Sequence, residues 1–289
     1  MKVQIENYLE ILSEYKSTLF IHGIENIMSN IDRNDITKFG LSSRMFYFYR
    51  NGERAVNSDL FRSIINTSSE RKILLKNAFD SFTGISSNGN SSIRLPKFYS
   101  PKLAYLTGFI IGDGHVSKRS EIVIWEETEK HSRYICNLIK NIFGYNPIIL
   151  DEKSYYRIII NSAPIHFFFT KIIKLAEGKK KLKERIPDFI FLDSKFTHSF
   201  LRGIFDSDGG VTISKNKKSV LLSSANDKFL TEINLLLNRF DINFPGPYKS
   251  GNRKGYEIRT FKSSEIKKFN QKIGFLHPVK SNRANALVA

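Results

Sequence analysis

Two aspartates close two similar apolar runs: Asp113 in 106-LTGFIIGDG-114 and Asp208 in 201-LRGIFDSDG-209. Each run reads as helical, and each sets small residues four apart, Gly108 and Gly112 in the first, Gly203 and Ser207 in the second. Residues at i and i+4 share a helix face, and glycine inside a helix costs about 1 kcal/mol relative to alanine. The expected compensation is steric, because small residues at that spacing let two helix backbones approach closely. If the two runs pack on each other they end together, with Asp113 beside Asp208 and with Gly114 and Gly209 turning the chain away. Carboxylates held that close repel, so a neutralising partner is expected. Helix ends add partial negative charge and open carbonyls, those of Gly112 and Ser207 among them. Oxygen donors of this kind suit Mg²⁺, completed by waters and substrate phosphate. The chemistry that follows is metal-assisted phosphodiester hydrolysis. One Asp-Gly alone would be only a helix end; two in similar surroundings point to a shared site.

The surroundings are indeed duplicated. In the first copy, a helix at 101–113 is followed by strand-like runs at 121–126, 147–151 and 155–161, with helical runs at 128–143 and 163–177. The second copy offers helices at 195–208, 227–240 and 263–273 and strands at 219–225 and 256–261. Such a repeat predicts two pseudo-symmetric α+β halves, 100–185 and 186–289. Residues 1–81 predict a small all-α domain, opening with a helix over 5–20 whose Ile5, Leu9, Leu12 and Tyr15 share a face. Further on, a helix ending at Gly40, a serine-capped helix closed by Asn51-Gly52, and a third helix fit a helix-turn-helix. There Leu41, Phe46 and Tyr49 would face inward, leaving Ser43, Arg44, Tyr47 and Arg50 outward. Residues 82–99, rich in Ser, Gly and Asn, predict a flexible linker.

Composition bounds the rest. No apolar run approaches a membrane span, and the N-terminus lacks the pattern of a secretory signal. The single cysteine, Cys136, excludes an intrachain disulfide and a cysteine-cluster zinc site. A cytoplasmic setting in a prokaryotic or archaeal cell is expected, an organellar one staying open. The net charge of +17 is uneven: residues 1–98 hold 13 Lys/Arg and 10 Asp/Glu, which leaves +14 on the remainder. That excess points to a polyanionic partner bound through phosphate neutralisation. The six histidines show no metal-ligand spacing, and His115 reads as a loop residue near Asp113.

The paired runs resemble the two motif copies of the single-chain LAGLIDADG homing endonucleases, and the lead-in IPDFIF at 186–191 is similar to that family too. The resemblance spans roughly 100–289. It implies an αββαββα fold in each half, motif helices at a central seam, and two four-stranded sheets forming a saddle over duplex DNA. It further implies a monomer that cuts both strands of a long, asymmetric site, with Asp113 and Asp208 as the metal-binding catalytic acids. Mg²⁺ is the implied cofactor, Mn²⁺ substituting for it and Ca²⁺ supporting binding without cleavage. The sixth motif position is Ile111 in one copy and Asp206 in the other. Strand positions where the family places basic side chains read Trp125-Glu126-Glu127 and Ser223-Ser224-Ala225, so Lys183 and Lys280 are the candidates by similarity. Residues 35–65 resemble the helix-turn-helix of phage-repressor-like domains. Met1 in place of a splicing nucleophile, and an ending ALVA, lead us to expect a free-standing protein and not an intein.

On strands lining a groove, alternate residues face the bases and phosphates. Tyr155 with Arg157, and Arg259 with Glu257, fit that alternation. Loop cations Lys118, Arg119, Lys215, Lys217, Lys218, Lys249, Arg253 and Lys254 would grip phosphate, as would Arg44, Tyr47 and Arg50 of the first domain. Two other readings stand beside the nuclease: a DNA-binding regulator that does not cut, and an RNA maturase.

Overall fold

Ser100 accepts a hydrogen bond from the Leu103 N–H, and Pro101 occupies the first turn, so a helix starts at the foot of the first motif. Asp193 caps the second motif helix in the same way. The computed structural model describes residues 3–13, 15, 18–31, 33–89, 92–178, 185–214, 217–250 and 255–288.

The first unit comprises α1 (Leu9–Ser13), β1 (Phe20–His22), α2 (Glu25–Ser29), a 3₁₀ segment (Arg33–Phe39), α3 (Ser43–Arg50), β2 (Val56–Asn57), α4 (Ser58–Thr67), α5 (Arg71–Ser81) and β3 (Gly84–Ser86). The first half follows with α6 (Pro101–Asp113), β4 (Gly114–Val116), β5 (Glu121–Glu126), α7 (Glu129–Phe143), β6 (Ile148–Asp151), β7 (Tyr156–Asn161) and α8 (Ala163–Phe167). The second repeats that order with α9 (Ser194–Asp208), β8 (Gly209–Ser214), β9 (Lys217–Ser224), α10 (Asp227–Asn238), β10 (Tyr248–Lys249), β11 (Tyr256–Thr260) and α11 (Ser263–Lys272), then adds α12 (Pro278–Val288). Each half is therefore αββαββα, with antiparallel sheets ordered β4-β5-β7-β6 and β10-β11-β9-β8.

Period-two burial sets each sheet's inner face. Ile122, Ile124, Ile158 and Ile160 are fully buried in one, Val220, Leu222 and Ile258 in the other. Phenylalanines fill the space behind them. Phe143, Phe168 and Phe169 meet edge to face in the first half, and Phe205, Phe244, Phe269 and Phe275 cluster in the second.

Four expectations change. The first unit is not all-α, since β2, β1 and β3 form a three-stranded antiparallel sheet. Among the described residues, the helix expected over 5–20 covers Leu9–Ser13, and Phe20 and Ile21 are drawn instead into strand pairing with Asn57 and Val56. Residues 82–99 are not a free linker: Ile85 pairs with Ile93, and Arg94 N–H bonds to the Phe143 carbonyl at 3.1 Å. Their scattered Ile85 and Leu95 are buried, and that outweighs the polar average. The helix expected over 163–177 ends as a π-helical turn at Phe168–Ile172.

Candidate active site

The seam of α6 and α9 is built on missing side chains. A Cβ added to Gly108 would lie 2.5 Å from the Phe200 carbonyl oxygen, and one on Gly203 would overlap the Tyr105 carbonyl. The two backbones thus touch where the sequence leaves room. At the lower end, a Cβ on Gly112 would overlap the Ser207 side chain and come within 3.3 Å of the Asp208 carboxyl carbon. The helix ends therefore converge, as the paired runs predict, with Asp113 half-buried and Asp208 exposed.

Lys280 reaches this point from the first turn of α12. Its Nζ donates to the Asp206 carbonyl at 2.6 Å and to the Ser207 carbonyl, the last turn of α9. Cations belong at a helix C-terminus for this reason. Burial pulls the Lys280 ammonium below its ordinary pKa, against the opposing attraction of Asp113, Asp206, Asp208 and Glu126. A cavity of about 280 Å³ opens here, lined by Asp113, Trp125, Glu127, Tyr155, Ser207 and Lys280 among others. Oxygen donors from two helix ends, carboxylates included, fit a hard divalent cation. The Ser207 carbonyl, a candidate donor in the sequence, spends one lone pair on Lys280.

Glu126, Asp206 and His277 also line the cavity, and they belong to a polar cluster that sequence spacing did not reveal. Glu126, expected beside the site on β5, turns inward and is 4% exposed. Its carboxylate accepts from His131 Nδ1 at 2.6 Å, from His277 Nε2 at 3.0 Å, and from both the N–H and the hydroxyl of Thr128. Burial works to raise the Glu126 pKa, but the two histidine hydrogen bonds prevail and hold it well below the usual carboxylate range. Asp206, 1% exposed, accepts from the Tyr105 hydroxyl at 2.7 Å and from the N–H groups of Leu276 and His277. Burial pushes its carboxyl upward despite those bonds. No local signal marks the cluster, because its members come from α6, β5, α7, α9 and the approach to α12.

The DNA-contact candidates divide. Arg157 and Arg259 lie on the sheet faces turned away from the helices, paired with Glu152 at 2.9 Å and Glu257 at 3.0 Å. Tyr155 precedes β7 and borders the cavity. Lys118 and Arg119 are exposed in the β4–β5 turn, Lys217 and Lys218 on β9, and Lys249 on β10. Arg44, Tyr47 and Arg50 are exposed on α3, with Phe46 and Tyr49 buried behind them. A 3₁₀ segment stands where the first helix of a helix-turn-helix was expected, and β2 intervenes before α4. His115 sits in β4 and not in a loop. Lys183, Lys215, Arg253 and Lys254 lie outside the described residues.

Comparison with known protein families agrees with the two-halved fold. A LAGLIDADG-like domain family matches residues 195–274, and the WhiA LAGLIDADG-like domain family matches residues 102–186. The chain thus carries two LAGLIDADG-like domains in the two-halved fold. It is similar to a glutamine–fructose-6-phosphate aminotransferase of Methanocaldococcus jannaschii, 32% identical over 152 residues, 52% of this chain. It is also similar to the replication factor C small subunit of that organism, 33% identical over 187 residues, 61% of this chain. The chain spans only 14% and 10% of those two proteins. Among solved structures, the N-terminal LAGLIDADG domain of DUF199/WhiA matches 61% of this chain and 84% of its own, at 22% identity and a TM-score of 0.42. I-DmoI in complex with DNA and Mn matches 60% of this chain and 96% of its own, at 16% identity and a TM-score of 0.46.

Proposed function

We propose that this protein is a site-specific double-strand DNA endonuclease of the homing type. The observation that carries the reading is the convergence of Asp113 and Asp208 at the foot of one glycine-packed seam, with Lys280 at the same helix end. The net charge of +17 suits a DNA partner. An aminotransferase and a replication factor have unrelated chemistry. A segment akin to this chain within both, as a small share of each, supports a sequence that moves between genes.

In this reading Asp113 and Asp208 hold divalent cations, with the carbonyls of Gly112 and Ser207 beside them. A bound Mg²⁺ would supply Lewis-acid neutralisation of a scissile phosphate and a water acidic enough to attack at neutral pH. The two sheets hold the duplex across the seam so that one phosphate of each strand lies near one acid. Lys280 places an ammonium where negative charge grows on the phosphoryl oxygens. Lys118, Arg119, Lys217, Lys218 and Lys249 grip the backbone outside the cut, and Arg157 and Arg259 reach toward base edges. Arg44, Tyr47 and Arg50 on α3 extend the footprint.

The test is cleavage of a randomised duplex library in Mg²⁺ and in Ca²⁺, by the wild type and by Asp208→Asn. Cuts at one sequence in Mg²⁺, absent in Ca²⁺ and in the variant, support the reading. Enrichment of a bound sequence without cuts would turn the assignment to a non-cleaving DNA-binding regulator. One observation favours that second reading: among the described residues, Lys280 is the only lysine lining the cavity, where two strands must be cut.

A further inference from the structure

The polar cluster in the cavity wall closes on itself. Asp206 accepts from the Tyr105 hydroxyl, which lies 2.8 Å from His131 Nε2. His131 Nδ1 bonds Glu126, and Glu126 bonds His277 Nε2. The His277 backbone N–H returns to Asp206 at 3.1 Å. Tyr105, Glu126 and His131 belong to the first half, Asp206 and His277 to the second. Buried charged groups are costly, and well-packed apolar side chains are often at least as stabilising. Five polar side chains from five places therefore call for a role beyond cohesion.

Their hydrogen bonding is complete enough to identify that role. A carboxylate offers about four lone-pair sites. Glu126 meets four donors: Thr128 N–H, the Thr128 hydroxyl and His277 Nε2 on Oε1, and His131 Nδ1 on Oε2. Although Glu126, His131 and His277 stand close enough to share a metal ion, one ring nitrogen of each histidine already engages the carboxylate, and the others face the Tyr105 hydroxyl and the Lys280 N–H. The cluster is thus a hydrogen-bonded frame, and what it frames is the entry to α12. Asp206 holds the N–H groups of Leu276 and His277 through its side chain, and takes Lys280 Nζ on its own carbonyl. His277 Nδ1 lies 3.4 Å from the Lys280 N–H. The segment 276–280 is therefore fixed at both ends.

We propose that Tyr105, Glu126, His131, Asp206 and His277 are positioning residues. Their ring spans the two halves and holds the Lys280 ammonium against the end of α9, on the Asp206 and Ser207 carbonyls. It sets the rate of strand cleavage without contributing to DNA affinity. The rate statement rests on the endonuclease reading; the placement of Lys280 does not.

Three variants test this: Tyr105→Phe, His277→Leu, and His277→Gln, whose side-chain amide replaces the lost N–H donor. Three measurements apply: single-turnover cleavage in Mg²⁺, DNA Kd in Ca²⁺, and acylation of Lys280 followed by mass spectrometry. Near-ultraviolet circular dichroism confirms the native fold. Tyr105→Phe and His277→Leu should cut about 10- to 100-fold more slowly, as loss of a supporting hydrogen bond does elsewhere. Kd should stay unchanged, Lys280 should acylate faster, and His277→Gln should recover most of the rate. Cleavage at the wild-type rate in folded Tyr105→Phe, or unchanged acylation in both Tyr105→Phe and His277→Leu, would overturn the proposal. A wild type that cuts no duplex would sink the endonuclease reading alone. Acylation would then still decide whether the ring places Lys280.

Discussion

Asp113 and Asp208 occupy equivalent motif places, yet one is half-buried and the other exposed. If both hold cations, neither substitutes for the other. Asp113→Asn and Asp208→Asn should each lower Mg²⁺-dependent cleavage by more than the roughly 100-fold that loss of an outer partner costs. Binding in Ca²⁺ should persist; normal cleavage by either variant would remove that acid from the site. Glu126 supports a second prediction, on stability. Its folded pKa is depressed, so its contribution is fully present above its unfolded pKa and lost as pH falls through the folded value. Glu126→Gln should cost about 2 kcal/mol at pH 7 through its lost charge-assisted bonds. It should also flatten the fall in stability below about pH 4.5, as urea titrations across pH would show. A wild-type acid limb unchanged by the substitution would refute this. The meeting of the two acids was legible in the sequence because motif position marks them, whereas Lys280 was named only through the family resemblance. His131 and His277 were not legible, since the partner that unites them, Glu126, reveals its inward face only once β5 is paired.

At the scale of elements, the seam is the part with the least tolerance. A Cβ on Gly203 meets the Tyr105 backbone and one on Gly108 meets that of Phe200, and neither can move without its helix. Gly203→Ala should therefore cost about 3 kcal/mol, the upper range for overpacking, and should impair cleavage by parting the acids. On Gly112 the added Cβ meets mainly the Ser207 side chain. Gly112→Ala should then be partly relieved by Ser207→Gly, whereas no second substitution should relieve Gly203→Ala. Denaturant midpoints of Gly203→Ala and Gly112→Ala, each alone and combined with Ser207→Gly, decide this, and equal losses with no relief would contradict it. The duplication was legible because helices and the longer strands recur at a similar offset, whereas the full αββαββα order came from the family resemblance. The sheet of the first unit was not legible. Its strands run two or three residues, too short for alternation to show, and their pairing is long-range. The same brevity hid β10, and α12, rich in Asn and Ala, shows no clear apolar stripe.

For the whole molecule, the question is whether the first unit is an appendage or part of one body. A flexible linker would make it an appendage, and removing residues 1–99 would leave the two halves untouched. The contacts say otherwise. Ile5 N–H bonds to the Lys97 carbonyl at 2.9 Å, Tyr99 N–H to that of Val3 at 2.9 Å, and Arg94 N–H to that of Phe143 at 3.1 Å. The Tyr8 ring meets Phe168 at 6.2 Å and Tyr15 meets Phe167 at 5.0 Å, both edge to face. Phe167 and Phe168 are fully buried and belong to the first half's own core. Stripping their cover exposes apolar surface worth on the order of 3 kcal/mol. In a chain of this size that lowers Tm by about 6–12 °C. A chain starting at Ser100 should therefore melt measurably below the full protein, and the deficit should appear in the first half's core. A truncated protein with the full-length Tm would restore the linker reading. With it would come an α3 surface of Arg44, Tyr47 and Arg50 free to engage DNA independently of the saddle.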